Sequence, residues 1–122
     1  MTLNSNIGKI GEDLACAYLM KNGFRVIERN YRTKWDEIDV IAKDRDGTLV
    51  FVEVKTLASK EGGLMPEDNM SPAKFAKISR ACRLFAAARP ELVKEDKGWR
   101  IDLAAISIKE DGGHEVRFYK NI

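Results

Sequence analysis

The chain has 122 residues, 44% hydrophobic and 33% charged, with a formal net charge of +2. That length suits one domain spanning 1–122 that buries roughly two-thirds of its unfolded surface without a disulfide staple. The composition excludes a disordered chain, and so near-neutral a balance gives no argument for a nucleic-acid partner from bulk charge alone.

No cationic, apolar, small-residue signal opens the chain, and no apolar run approaches the ~18 residues of a membrane span. The two cysteines, Cys16 and Cys82, lack zinc-ligand spacing, and the single His114 lies far from both in sequence. Both are expected to be small buried core residues. A cytoplasmic, membrane-free protein is the expectation.

Ser5 or Asn6 is expected to cap a helix running to about Asn22, with Gly23 as terminator. Ile7, Gly11, Leu14, Ala15 and Tyr18 fall on one face of it. Phe24 to Tyr31 alternates apolar and basic residues and reads as a half-exposed strand. Residues 36–43 and 48–56 read as two further strands. Lys43-Asp44-Arg45-Asp46-Gly47 carries turn chemistry between them, which predicts an antiparallel hairpin.

Residues 57–70 read as a polar loop containing Gly62-Gly63, long enough to suggest a functional role. Ser71-Pro72 then starts a second helix with the apolar stripe Phe75, Ile78, Cys82 and Phe85, ended by Pro90. Trp99 to Ile108 reads as a strand, with Arg100 and Asp102 on one face and Ile101 and Leu103 on the other. Asp111-Gly112-Gly113 is a turn, and Glu115 to Tyr119 a last strand. The order α-β-β-β-α-β-β predicts an α/β sandwich with a central mixed sheet, the second helix crossing over between sheet strands.

Two constellations of ionisable residues interrupt the apolar strands. Asp39 sits in Glu37-Ile38-Asp39-Val40-Ile41-Ala42, and Glu53 and Lys55 sit in Leu49-Val50-Phe51-Val52-Glu53-Val54-Lys55. A strand core is a costly place for a charge unless it is paired or metal-bound. Glu53 and Lys55, two apart, project from one face of their strand. An acid followed by acid-x-Lys on the next strand is the layout of a metal-dependent phosphodiesterase. Asp39 and Glu53 would supply carboxylates to magnesium or manganese, and the Val54 carbonyl a third oxygen. Lys55 would hold or deprotonate the attacking water. Glu12, on the first helix beside Gly8, Ala15 and Leu19, is a further ligand candidate, because the small Gly8 and Ala15 would admit another element there. On residue physics alone, a cross-strand Glu53–Lys55–Asp39 ion cluster on a solvated face explains the same pattern.

Several segments together resemble the YraN-like family. They are Gly8-Lys9-Ile10-Gly11-Glu12, Arg29-Asn30-Tyr31-Arg32, Glu37-Ile38-Asp39-Val40-Ile41-Ala42, Val50-Phe51-Val52-Glu53-Val54-Lys55, Ser71-Pro72-x-Lys74 and Arg100-Ile101-Asp102-Leu103-Ala104-Ala105-Ile106. The resemblance runs from about Ile7 to the last strand. That family comprises small bacterial predicted endonucleases, similar to archaeal Holliday junction resolvases of the PD-(D/E)xK nuclease superfamily. The resemblance implies a restriction-endonuclease-like sandwich. It places Glu12, Asp39, Glu53 and Lys55 on the catalytic acid, acid, acid and lysine positions. Two departures stand out. Asp36 replaces the usual Gly before Glu-Ile-Asp, and Thr56-Leu57 follows the lysine where an Arg is usual, so that a phosphate contact is either missing or supplied by Lys60.

Arg25, Arg29, Arg32 and Lys34 cluster in sequence near Asp39, and Lys74, Lys77, Arg80 and Arg83 spread along the second helix. Each lysine or arginine set against a phosphate makes binding salt-dependent. Tyr31 and Trp35 offer stacking surfaces, although partial burial against the sheet is the plainer expectation for Trp35 and Trp99. No helix-turn-helix or zinc-finger pattern reads base sequence. Structured or branched DNA is therefore the expected partner, with two symmetric cuts calling for a homodimer. The competing readings are a nuclease-like module that binds nucleic acid or a repair partner without cleaving, and a purely structural interaction module.

Overall fold

The computed structural model describes residues 3–58 and 70–122, with side chains from residue 6 onward. Helix α1 spans Leu3–Lys21, followed by strands β1 (Arg25–Arg32), β2 (Glu37–Lys43) and β3 (Leu49–Ala58). Helix α2 spans Pro72–Ala88, a 3₁₀ turn Pro90–Leu92, and strands β4 and β5 span Trp99–Ile108 and His114–Tyr119. The element order is the predicted one.

The five strands form one mixed sheet in the order β1-β2-β3-β4-β5. Lys43 pairs with Leu49 across the predicted antiparallel hairpin. β3 and β4 run parallel, Leu49 opposite Trp99 through Ala58 opposite Ile108, so α2 lies on the crossover between them. The β-branched and aromatic content of β3 suits a strand covered on both faces.

One helix covers each face. Ala15, Cys16 and Leu19 of α1 pack with Phe24, Val40, Ala42, Val50, Val52, Ala104 and Ile106. Ala81, Cys82, Phe85 and Ala86 of α2 pack with Ile38, Ile41, Leu49, Phe51 and Ile101 on the other face. Both cysteines are buried as expected, and burial pushes both thiols up. No helix among the described residues is long and apolar enough to cross a membrane.

Four sequence expectations are corrected. Helix α1 starts at Leu3, so Ser5 and Asn6 lie inside it and not at its cap; such propensities are weak priors. β3 continues through Leu57 and Ala58, which pair with Ser107 and Ile108. Residues 57 and 58 of the expected 57–70 loop therefore belong to the strand, and the rest of that loop through residue 69, with Lys60 and Gly62-Gly63, lies outside the described residues. The close approach to α1 occurs at Gly11, not Gly8. A Cβ on Gly11 would overlap Thr56 of β3, whereas one on Gly8 meets nothing. Ala15 is fully buried, as its small size requires.

At the start of α2, Ser71 accepts from the Lys74 N–H at 3.2 Å, with Pro72 at the first helical position. Gly23 follows α1 with φ +86° and donates its N–H to Met20, the left-handed stop that glycine adopts without Cβ strain. Gly11→Ala is expected to destabilise the fold by about 1–3 kcal/mol even though alanine is intrinsically the better helix former. An unchanged or raised urea midpoint would show that Thr56 yields.

Candidate active site

The site forms where β2 leaves β3. Their pairing ends at Val40 opposite Val52. Beyond it, the Val54 N–H has no β2 backbone partner and donates instead to Asp39 Oδ2 at 2.8 Å. In a strand, N–H and C=O of one residue project to the same edge. The Val54 carbonyl therefore also faces the gap, as its expected ligand role requires.

The strand alternation breaks at Asp39. Ile38 packs on the α2 face, yet Val40, two residues on, packs on the α1 face. The paired strand irregularity is Asn30, which stands between Arg29 opposite Val40 and Tyr31 opposite Ile38, with φ +53°. Asparagine is among the few residues that tolerate this conformation. The break turns Asp39 into the gap between strands, within reach of groups on both faces of the sheet.

Those groups are acidic. Glu12 of α1, Glu37 and Asp39 of β2 each present a carboxylate oxygen, all within 4.8 Å of one another. Burial, then repulsion from Glu53 and Glu12, push Asp39 up to about 8. Burial also raises Glu53, with the Lys55 ammonium opposing it. Asp39 thus keeps its proton near neutrality and donates it to Glu53. Lys55 Nζ lies 3.3 Å from Glu53 Oε1, whose side chain is only 11% exposed. Hard oxygen donors at this spacing fit a small divalent cation, and the retained proton marks the place where a cation would relieve the same repulsion.

The four expected catalytic residues, Glu12, Asp39, Glu53 and Lys55, therefore converge. Glu37 joins them and was not singled out from sequence. It stands two residues before Asp39 on the same strand, but the break in alternation between Ile38 and Val40 hid their shared placement from sequence. Ligand spacing groups Glu37, not Glu53, with Glu12 and Asp39.

The basic residues divide. Lys74 and Lys77 line one cleft with Trp35, Asp36, Glu37, Glu53, Lys55 and Ile78. Arg29 and Arg32 line a groove on the α1 face with Lys9, Glu12, Asn30 and Glu37. Arg29 donates to Asp13 at 2.7 Å and lies 3.6 Å from Glu12, and Arg32 lies 3.6 Å from Glu37. Both arginines balance the acidic cluster. Arg25 does not belong with them: it pairs with Lys43 at the opposite end of β1, four residues along β2 from Asp39, or about 13 Å. Tyr31 is committed to the core, edge-on to Phe85 at 5.0 Å. Trp99 packs on Phe51 as expected, but Trp35, expected to be partly buried, is 73% exposed. The turn that carries it folds back on itself, with the Thr33 N–H donating to the Asp36 carbonyl.

The departure at Asp36 is compensated. Its carboxylate, 9% exposed, pairs with Arg80 of α2 at 2.9 Å, so its charge is spent on a tie between β2 and α2.

Fold and site together define an α/β protein with a central mixed sheet, a helix on each face, and an acid-lysine cluster at a strand divergence. Residues 11–106 match the model of the uncharacterised protein family UPF0102. The chain is 43% identical over 112 residues to a UPF0102 protein of Syntrophus aciditrophicus, covering 92% of this chain and 84% of the relative. It is 34% identical over 119 residues to one of Syntrophomonas wolfei, covering 98% of each. A third, of Prosthecochloris aestuarii, is 41% identical over 104 residues, covering 85% of this chain and 78% of the relative. The chain belongs to the UPF0102 family, the YraN-like family its motifs resemble.

The Asp39 shift sets a pH dependence. The folded protein holds a proton that the unfolded chain releases near the ordinary carboxylate value, so this group's contribution to stability falls as pH rises from about 4 toward 8. Asp39→Asn keeps an oxygen for the Val54 N–H and removes the titration. Without metal, its unfolding free energy relative to wild type, read from urea titrations, is expected to climb between pH 5 and 8 and level off above, by an amount on the order of 1 kcal/mol or more. Parallel pH curves for the two proteins would contradict the assignment.

Proposed function

We propose that this chain is a metal-dependent endonuclease that hydrolyses phosphodiester bonds in structured or branched DNA. The observation that carries this reading is the convergence of Glu12, Glu37, Asp39 and Glu53 beside Lys55 at the β2–β3 divergence, on a cleft edged by Lys74 and Lys77. Phosphodiester hydrolysis needs a positioned water and relief of charge at the phosphate. Bound magnesium or manganese supplies charge neutralisation and a more acidic water. Glu12, Glu37, Asp39 and the Val54 carbonyl would hold the ion. Glu53 keeps Lys55 at the edge of the cluster, where its ammonium orients the attacking water and offsets negative charge as the bond to the leaving oxygen breaks.

The cleft favours a polymer. Its volume is about 240 Å³ and it is open to solvent, below the range that encloses a drug-sized molecule. Lys74 and Lys77 border it and would contact successive phosphates. The resemblance to Holliday junction resolvases agrees with branched DNA as substrate, cut by a two-fold pair of chains.

The second reading, a non-cleaving nucleic-acid or repair-partner module, draws support from one observation. The Asp39–Glu53 proton and the Glu53–Lys55 pair partly neutralise the cluster without an ion. Labelled branched and flapped DNA separates the two. With magnesium present, Lys55→Ala is expected to lose about 100-fold or more in cleavage rate while binding DNA like wild type. Equal cleavage by both would remove Lys55 from the mechanism, and metal-independent DNA binding without cleavage by wild type would favour the second reading. Replacing Lys74 and Lys77 together by Ala should lower the slope of log affinity against log salt by about two. An unaltered slope would make them ordinary surface charges.

A further inference from the structure

We propose that Trp35 is a stacking platform for an unpaired nucleobase beside the scissile phosphate, so that the enzyme selects DNA with an unstacked nucleotide at the cut. This inference rests on the hydrolytic reading above and adds a specificity-determining residue to it. Trp35 is the most exposed large hydrophobic side chain among the described residues, at 73%. An indole so placed gives up burial that a core or interface position would provide.

The turn holds it there. The Thr33 N–H donates to the Asp36 carbonyl at 2.8 Å. Thr33 Oγ1 accepts from the N–H groups of Trp35 at 3.2 Å and Asp36 at 2.9 Å. Asp36 is then tied to α2 through Arg80 at 2.9 Å. A braced turn presents the ring with little ordering left to lose on binding, which favours affinity. The Asp36–Arg80 tie thus fixes the position of Trp35 against the cleft.

The surroundings specify the occupant. Lys34 Nζ lies 5.0 Å from the Trp35 ring centroid, and the same cleft carries Lys55, Lys74 and Lys77. An aromatic face among ammonium groups matches a nucleotide, whose base is flat and whose phosphate is anionic. A paired base inside a duplex has both faces covered by its neighbours, so only an unpaired or extruded base can take the ring. Trp35 lines the cleft together with Glu53 and Lys55, which places the stacked base close to the phosphate that reacts.

The test compares a short oligothymidylate with a blunt duplex of equal length, using wild type, Trp35→Ala and Trp35→Phe without metal. The exposed position makes both variants compatible with folding. Trp35→Ala is expected to weaken oligothymidylate binding about ten-fold and leave duplex binding unchanged, and Trp35→Phe to retain most of the affinity. Oligothymidylate should quench wild-type tryptophan emission and leave that of Trp35→Phe, which keeps Trp99 alone, unchanged. Equal losses on both DNAs, no loss on either, or quenching that persists in Trp35→Phe would overturn the platform. Metal-dependent cleavage that persists with no change of substrate preference in Trp35→Ala would overturn this inference alone. Trp35-dependent binding without cleavage by wild type would sustain the base platform and remove the hydrolytic reading.

Discussion

Where β2 parts from β3, a backbone donor at Val54 would be left facing a gap, and the Asp39 carboxylate takes it at 2.8 Å. The rest of the site depends on this bond. It fixes Asp39 in the plane of the sheet, between the α1 face that carries Glu12 and the α2 face where Glu53 sits near Cys82. A buried carboxylate so placed is surrounded by others of like charge, and the fold holds them together with a retained proton, the Lys55 ammonium, and Arg29 and Arg32 at the margin. Such an arrangement costs stability. Unfavourable electrostatics built into an otherwise apolar sheet marks this cluster as the candidate functional site.

The sheet makes the cost bearable. On either side of the gap, β2 and β3 are lined by fully buried Val40, Ile41, Ala42, Leu49, Val50, Phe51 and Val52. Both helices pack on that segment. On β4, Arg100 bonds both Asp102 oxygens and reaches Asp44 at 2.8 Å, and the Asn121 N–H donates to Asp102 at 2.8 Å. That network fully buries Asp102 with its partners satisfied. Neighbouring strands thus treat buried acids differently: β4 neutralises Asp102 by direct pairing, and the β2–β3 divergence leaves its acids crowded.

Much of this was legible in the chain. Apolar runs interrupted at Asp39 and at Glu53-Val54-Lys55 gave the strands and the candidate residues Asp39, Glu53 and Lys55, because period-two alternation ties sequence position to face. The hairpin turn and the Ser71-Pro72 start were readable from local chemistry. What escaped depended on contacts between elements. Alternation fails at Asp39 because Asn30 on the neighbouring strand adopts a left-handed backbone, and no one-dimensional pattern shows that. Glu37 looked like strand flank until the break turned it toward Glu12. Arg25 stood near Arg29 in sequence, yet an extended strand carries it away at about 3.3 Å per residue. The exposure of Trp35 followed from the Thr33 turn and the Arg80 tie, a partnership spanning 44 residues.

The central claim is that the crowded carboxylates around Asp39 form a divalent-metal site. Calorimetric titration of manganese into wild type and Asp39→Asn tests it without any choice of DNA. The account predicts binding to wild type that strengthens as pH rises toward 8 and releases a proton, and loss of that binding in Asp39→Asn. Equal manganese binding by both proteins, or none by either across that pH range, would contradict it.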